Sequence, residues 1–284
     1  MRSERVRRRR RRLSLATVLA YGLVALVCLW SLGPFLWLLT SSLRPSGELF
    51  VSPPRWIPEV ITLRPYETAL RTFAQPLMNS VFYGLTASIC ALVLAVPAAY
   101  SLVRYRYPAK WFAVAGLIAS QLLPFVLVLL PLYIAFVRFG IYNTRLGLLV
   151  AYTALTLPFS ILILRSYFST LPADLEEQAM VDGCTRLGAL VRVVLPLAGP
   201  PIVATALLST ALVWNDVLVT VFLSSDAKIQ TASVALYNLF NTRSGIGDPT
   251  VLFAAGVLIT LPVVLLFTLL QRWMVQSVAL AGLK

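Results

Sequence analysis

Apolar residues along this chain fall into six long runs, at residues 13–39, 77–102, 112–137, 146–167, 195–223 and 251–270, separated by shorter polar stretches. Each run reaches the ~20 residues a helix needs to cross the hydrocarbon core of a bilayer. Six membrane-spanning helices are therefore predicted, which places both ends of the chain on one side. Prolines sit inside several runs (Pro97, Pro124, Pro131, Pro158 and Pro262). Membrane helices tolerate them where neighbouring groups satisfy the freed backbone. Kinks there suit a bundle with a cavity, or simply irregular packing.

Two polar stretches interrupt the pattern. The first, 41–75, carries Pro45, Pro53, Pro54, Pro58 and Pro65 and reads as an irregular external cover. The second, 175–201, holds much of the chain's acid. Thr170 and Pro172 precede it as start signals, and Asp174, Glu176 and Glu177 fall in a first helical turn, where carboxylates favour the positive end of the helix dipole. Gly183 suits the left-handed residue that ends a helix. Thr185 can cap a second helix, whose Leu187, Leu190, Val191 and Val194 recur at i, i+3, i+4 and i+7. The stretch is thus predicted to be helix, turn, amphipathic helix, with an apolar stripe too short to span a bilayer and regular enough to press against a helix or a partner.

Composition removes whole classes of function. The 284 residues are 59% hydrophobic and 12% charged, against roughly 25% charged in a soluble domain, and the mean hydropathy is +0.83. Histidine is absent and Cys28, Cys90 and Cys184 are scattered, so neither a metal site nor a disulfide framework is predicted and free thiols are expected. No G-x-x-x-x-G-K-[ST] occurs, and Lys110, Lys228 and Lys284 follow no glycine-rich loop. The chain therefore has no P-loop, and no catalytic residues are assigned.

Charge then sets orientation. Much of the net +13 comes from Arg2, Arg5 and Arg7 to Arg12. A nucleic-acid site would want aromatics or a folded basic face beside these arginines, whereas a topology anchor needs only a flanking apolar run, so nucleic acid is not expected as a partner. Contact with anionic lipid is expected instead. The adjoining run is too long for a signal peptide and lacks an A-x-A exit, and it is kept as a first transmembrane helix, 13–40. With the N-terminus inside, sixteen basic residues lie inside and eight outside, an asymmetry that favours N-in, C-in.

On this background Glu177, Gln178, Ala179, Asp182 and Gly183, followed by Leu195-Pro196, resemble the EAA loop of binding-protein-dependent ABC importers. Gln178, Cys184 and Leu190 depart from its usual residues without disturbing the helix-turn-helix. Further matches, at 58–70, Asn79-Ser80, 139–148, 157–160, 168–174, Trp214-Asn215-Asp216 and the tail from Gln271, resemble the carbohydrate-uptake permeases, similar to the smaller permease subunit of maltose transporters. The resemblance implies an all-α integral membrane protein with six transmembrane helices and the type I ABC importer permease fold. It further implies a permease core at 76–272, an EAA-like coupling loop at 172–196 and a cytoplasmic tail at 273–284, in the membrane of a bacterial or archaeal cell. It also implies partners: a dimer of ATPase subunits that binds the ATP, so that this chain needs no cofactor, a second homologous permease and an extracytoplasmic solute-binding protein.

The expected roles follow from the resemblance. Glu177, Ala179, Asp182 and Gly183 set the shape of the coupling loop, and Leu187 and Leu190 contact the ATPase. Trp214, Asn215 and Asp216 line the translocation pathway, the indole stacking on a sugar face while amide and acid bond its hydroxyls. Equally, Asn215 and Asp216 bond neighbouring helices or cap the outer end of their span. The implied cargo is a sugar, oligosaccharide or sugar-phosphate. Alternatives are a permease for another solute, such as a polyamine or amino acid, and a stand-alone ion-coupled transporter, for which only Asp216 is a candidate buried acid.

Overall fold

The computed structural model describes residues 15–241 and 248–281. The arginine-rich tail at 1–12, Arg243 and residues 282–284 lie outside the described residues. The chain is helical, with no strand among the described residues. Four helices are long and apolar enough to cross a membrane unbroken: Leu19–Ser42, Arg64–Arg104, Arg145–Phe168 and Pro249–Gln271. Two further spans are bent pairs, so the expected six are reached when each pair counts as one.

The first described helix is α1 (Leu15–Ser42), whose side chains from Leu19 to Leu39 are largely exposed. Arg44 then folds the following loop back. Its side chain is 1% exposed, donates to the carbonyl oxygens of Thr40, Arg55 and Trp56 and stacks over the Trp37 ring at 5.2 Å. The stretch 41–75, expected to be irregular throughout, is so only between Ser42 and Arg64, and there a short 3-10 turn (Ser46–Phe50) interrupts it. Then α2 (Arg64–Arg104) begins, with Pro65 in its first turn, where the missing N–H of proline costs nothing.

This second helix is the axis of the bundle. Ala87, Ala91, Ala95 and Ala99 recur every four residues and are fully buried, which gives α2 a face without side-chain bulk for close approach. Against it lie α5 (Arg145–Phe168), α9 (Gly199–Asn215), α11 (Ala232–Asn241) and α12 (Pro249–Ala281). Hydroxyl pairs tie the layers together: Ser88 with Thr210 at 2.9 Å and Ser160 with Ser209 at 3.1 Å.

The third and fifth expected spans are not continuous helices. Residues 112–137 divide into α3 (Lys110–Leu122) and α4 (Phe125–Arg138), inclined by 102°. The cause is Pro124, which cannot donate a backbone hydrogen bond and drives Leu123 to an extended conformation (φ −69°, ψ 130°). Residues 195–223 are broken twice. After α6 (Asp174–Val181), the helical run Arg186–Leu197, made of α7 (Arg186–Ala189), a π segment (Leu190–Val194) and α8 (Leu195–Leu197), meets α9 at 77° beside Gly199-Pro200-Pro201. A second break at Asp216 precedes α10 (Leu218–Leu223). A straight helix from Pro196 to Asp216 is therefore not the path the chain takes.

The loop at 223–232 is stapled by side chains from the helices and their connections. Asn79 donates to the carbonyls of Lys228 and Gln230, both at 2.9 Å, and Ser80 Oγ accepts from the Ala232 N–H at 2.8 Å. Asn143, in the left-handed region at φ 54°, accepts from the N–H groups of Ser225 and Asp226 through its side-chain oxygen. Gly147 is dictated by space: a Cβ there falls 2.1 Å from the Ile141 carbonyl oxygen.

Candidate functional site

The acidic loop forms the helix-turn-helix that the pattern predicts. Its first helix, α6, starts at Asp174, with Asp174, Glu176 and Glu177 in its first turn as the pattern expects. The Thr170 hydroxyl is spent on the Tyr167 carbonyl at 2.7 Å and caps nothing downstream. Gly183 adopts φ +89°, and the turn closes through Gly183 N–H to Met180 O at 3.1 Å and Cys184 N–H to Ala179 O at 3.0 Å. These are the bonds by which a left-handed residue satisfies the last carbonyls of a helix. Thr185 then caps α7, its hydroxyl accepting from Gly188 N–H at 3.1 Å.

The four-residue apolar stripe divides into two edges. Leu187 (68% exposed) and Val191 face outward, whereas Leu190 (4% exposed) and Val194 pack inward against Leu102, Ile161, Leu164 and Phe168. The split follows from geometry, because residues four apart stand directly above one another on a helix. Leu190, expected at the partner surface, instead anchors the loop to this chain's own core. The outward side adds Val181, 87% exposed at the end of α6, beside the exposed acids Glu177 and Asp182. Together with Asp174 and Gln178 they line a surface recess. Ala179 is half-buried behind them.

A second feature lies between the two broken spans. A cavity of about 470 Å³ is lined by Gln121, Phe125, Leu155, Phe159, Asn215 and Asp216, among others. It sits where α3 stops before Pro124 and α9 stops before Asp216, and helix breaks of this kind bring polar groups into a bundle at membrane depth. The Asn215 amide donates to Ala211 O at 2.8 Å. Asp216 Oδ2 accepts from the Tyr152 hydroxyl at 3.1 Å and from the Val219 N–H at 3.0 Å, which caps α10. Trp214 is not brought to this cavity. Its side chain is buried and faces a separate apolar cavity with Leu85, Leu207, Pro262 and Phe267.

Comparison with known proteins decides what such an assembly is. The family described as "Binding-protein-dependent transport system inner membrane component" matches residues 91–280, a span that contains both the loop and the cavity. The chain belongs to this family. Among its relatives is the trehalose transport system permease protein SugB of Mycobacterium tuberculosis, 32% identical, covering 91% of this chain and 94% of the relative. The sulfoquinovosyl glycerol transport system permease protein SmoH of Agrobacterium fabrum is 33% identical with 88% of each chain covered. The diacetylchitobiose uptake system permease protein DasC of Streptomyces coelicolor is 30% identical over 95% of each. In fold, the chain is similar to the crystal structure of a bacterial ABC transporter involved in the import of the acidic polysaccharide alginate. The TM-score is 0.79, at 21% identity, covering 90% of this chain and 95% of that one.

Several residues of this inner membrane component had no assigned role in the sequence. Glu176, read only as a first-turn acid beside Glu177, is 5% exposed and bonded to Tyr100 and Arg104. Gln121 and Tyr152 enter the cavity region from helices that read as plain apolar runs. The resemblance had marked Asn79, Ser80 and 139–148 without a purpose; Asn79 and Ser80 hold the segment 228–232, and Asn143 holds Ser225 and Asp226.

Proposed function

We propose that this permease is the membrane-spanning subunit through which an ATP-driven importer passes a sugar, oligosaccharide or sugar-phosphate delivered by an extracytoplasmic binding protein. The observation that carries the reading is the loop at 172–196, anchored inward by Leu190 and Val194 while Val181 and Leu187 stand exposed. An apolar edge flanked by Glu177 and Asp182 is a docking face for a protein, since a free-standing linker has no reason to expose it. Glu177, Ala179, Asp182 and Gly183 shape this face, and Leu187 contacts the ATPase subunit. ATP is bound and hydrolysed by a dimer of that subunit, and a second homologous permease completes the pathway.

The cavity supports a carbohydrate cargo. Its volume lies within the roughly 300–1,000 Å³ range of small-molecule sites. Phe125 and Phe159 present apolar faces to sugar rings, and Gln121, Asn215 and Asp216 present hydroxyl-bonding groups. The names of the relatives above, which concern trehalose, sulfoquinovosyl glycerol and diacetylchitobiose, point the same way. The test is uptake by proteoliposomes containing the full transporter and its binding protein, offered radiolabelled disaccharides, polyamines and amino acids in turn. Accumulation of a disaccharide alone is expected. Accumulation of a polyamine or an amino acid instead would assign the other cargo class.

A further inference from the structure

Three residues at the inner end of α2 grip the coupling loop. Arg104 Nε donates to Glu176 Oε1 and the Tyr100 hydroxyl donates to Glu176 Oε2, both at 2.7 Å. Arg104 Nη2 also donates to the Leu171 carbonyl at 3.0 Å. The grip extends to the second helix of the loop, where the Arg186 guanidinium stacks over the Tyr105 ring at 5.4 Å. Tyr105 in turn packs edge-on against Tyr100 at 6.3 Å. Both carboxylate oxygens of Glu176 are thereby held, on a residue almost out of reach of solvent.

Stability alone does not account for this arrangement. A buried ion pair costs desolvation, and apolar residues of similar volume often serve as well or better. What a pair adds is fixed orientation, here reinforced by helix dipoles. Arg104 ends α2, where a cation is favoured, and Glu176 sits in the first turn of α6, where an anion is favoured. The rest of the packing of α6 is chiefly onto α7 and the π segment of its own loop. Its bonds to α2 are thus a direct tie to the bundle.

The other end of α2 is equally tied. Asn79 and Ser80 hold the external segment 228–232 through three hydrogen bonds. Between Asn79 and Arg104 the helix is continuous, with Pro97 inside it, and its 25 residue steps rise roughly 38 Å at 1.5 Å per residue. One continuous helix therefore connects the loop on one face of the bundle with the loop on the other.

We propose that Tyr100, Arg104 and Tyr105 are positioning residues whose grip on Glu176 and Arg186 delivers displacement of α6 and α7 to α2, and along α2 to the external segment 228–232. The inference rests on the reading of 172–196 as the docking loop for an ATPase. It goes beyond that reading by naming the route from the loop to the outer face.

The test uses the assembled transporter in proteoliposomes, in a background with Cys28, Cys90 and Cys184 replaced by alanine and a single cysteine introduced by Lys228→Cys. The rate of labelling by a membrane-impermeant maleimide is read with and without ATP and vanadate, alongside ATP hydrolysis. With the clamp intact, ATP–vanadate is expected to change the labelling rate. Arg104→Met is expected to abolish that change while hydrolysis continues, and Arg104→Lys to restore part of it. Because Arg104→Met leaves Glu176 buried and unpaired and the protein then risks misfolding, the double variant Arg104→Met/Glu176→Met, which leaves neither charge buried, serves as the second arm and is also expected to lose the response. A full response in the double variant, or none with the clamp intact, overturns the proposal. Failure of any ATPase subunit to assemble with the unaltered chain overturns instead the reading of the loop on which it rests.

Discussion

Tyr152 and Asp216, 64 residues apart in sequence, meet at the break between α9 and α10, where the phenolic hydroxyl donates to Asp216 Oδ2 at 3.1 Å. The same hydroxyl lies 2.6 Å from Thr220 Oγ1, and the same carboxylate oxygen accepts the Val219 N–H at 3.0 Å. Asp216 thus has two functions at one place: it caps a short helix, and it brings an acid to the wall of the cavity. In the loops an acid needs no such support, but at membrane depth a carboxylate is costly unless partners hold it.

Asp216→Ala is expected to lower transport of the cognate sugar while assembly and basal ATP hydrolysis stay near normal. Tyr152→Phe removes one hydrogen bond, worth about 0.5–1.5 kcal/mol, and is expected to have a smaller effect in the same direction. Uptake kinetics in proteoliposomes measure both. Unchanged kinetics in Asp216→Ala, with normal folding, remove Asp216 from the pathway and leave it a helix cap.

Gly147→Ala forces a methyl group to within 2.1 Å of the Ile141 carbonyl oxygen. Since that atom is backbone, the turn leading into α5 must move. A destabilisation of about 1–3 kcal/mol, the usual cost of overpacking, is expected as a lowered thermal midpoint of the purified protein. Gly116, with nothing within 4 Å of its Cβ position, is the matched control, and Gly116→Ala should leave the midpoint unchanged or raised.

The two ends of the bundle should face opposite compartments. Reporter fusions at Gly47 and Lys228 are expected to read outside, and fusions at Tyr107 and Gly183 inside. An inside reading at Lys228 contradicts the six-span topology.

Hydrophobic runs and turn chemistry made the helices, the loop and the Gly183 turn legible from the residues alone. Pro124 was visible as a kink, but not as a bend of 102°, because a proline fixes where a helix breaks while the neighbours fix the angle. Leu190 and Leu187 have the same residue type and lie in the same periodic stripe. Only tertiary packing decides that one turns inward and the other outward. Glu176 and Glu177 are adjacent and chemically alike, and the partner of Glu176 lies 72 residues away, a separation that no local pattern encodes. Trp214 illustrates the limit from the other side: its neighbours Asn215 and Asp216 line the cavity, yet within α9 the indole shares a face with Leu207 and Thr210 and lines the apolar cavity instead.

The central claim, that the loop at 172–196 couples this permease to an ATPase, is tested most directly at Gly183. Its φ of +89° is closed to proline, whose ring fixes φ near −65°, so Gly183→Pro must reshape the turn between α6 and α7. The decisive measurement is uptake and ATP hydrolysis in the same proteoliposomes, with co-purification of the ATPase subunit scored in parallel. The account predicts that Gly183→Pro loses uptake while hydrolysis persists or the ATPase no longer co-purifies. Uptake at the unaltered level with the ATPase still bound would contradict it.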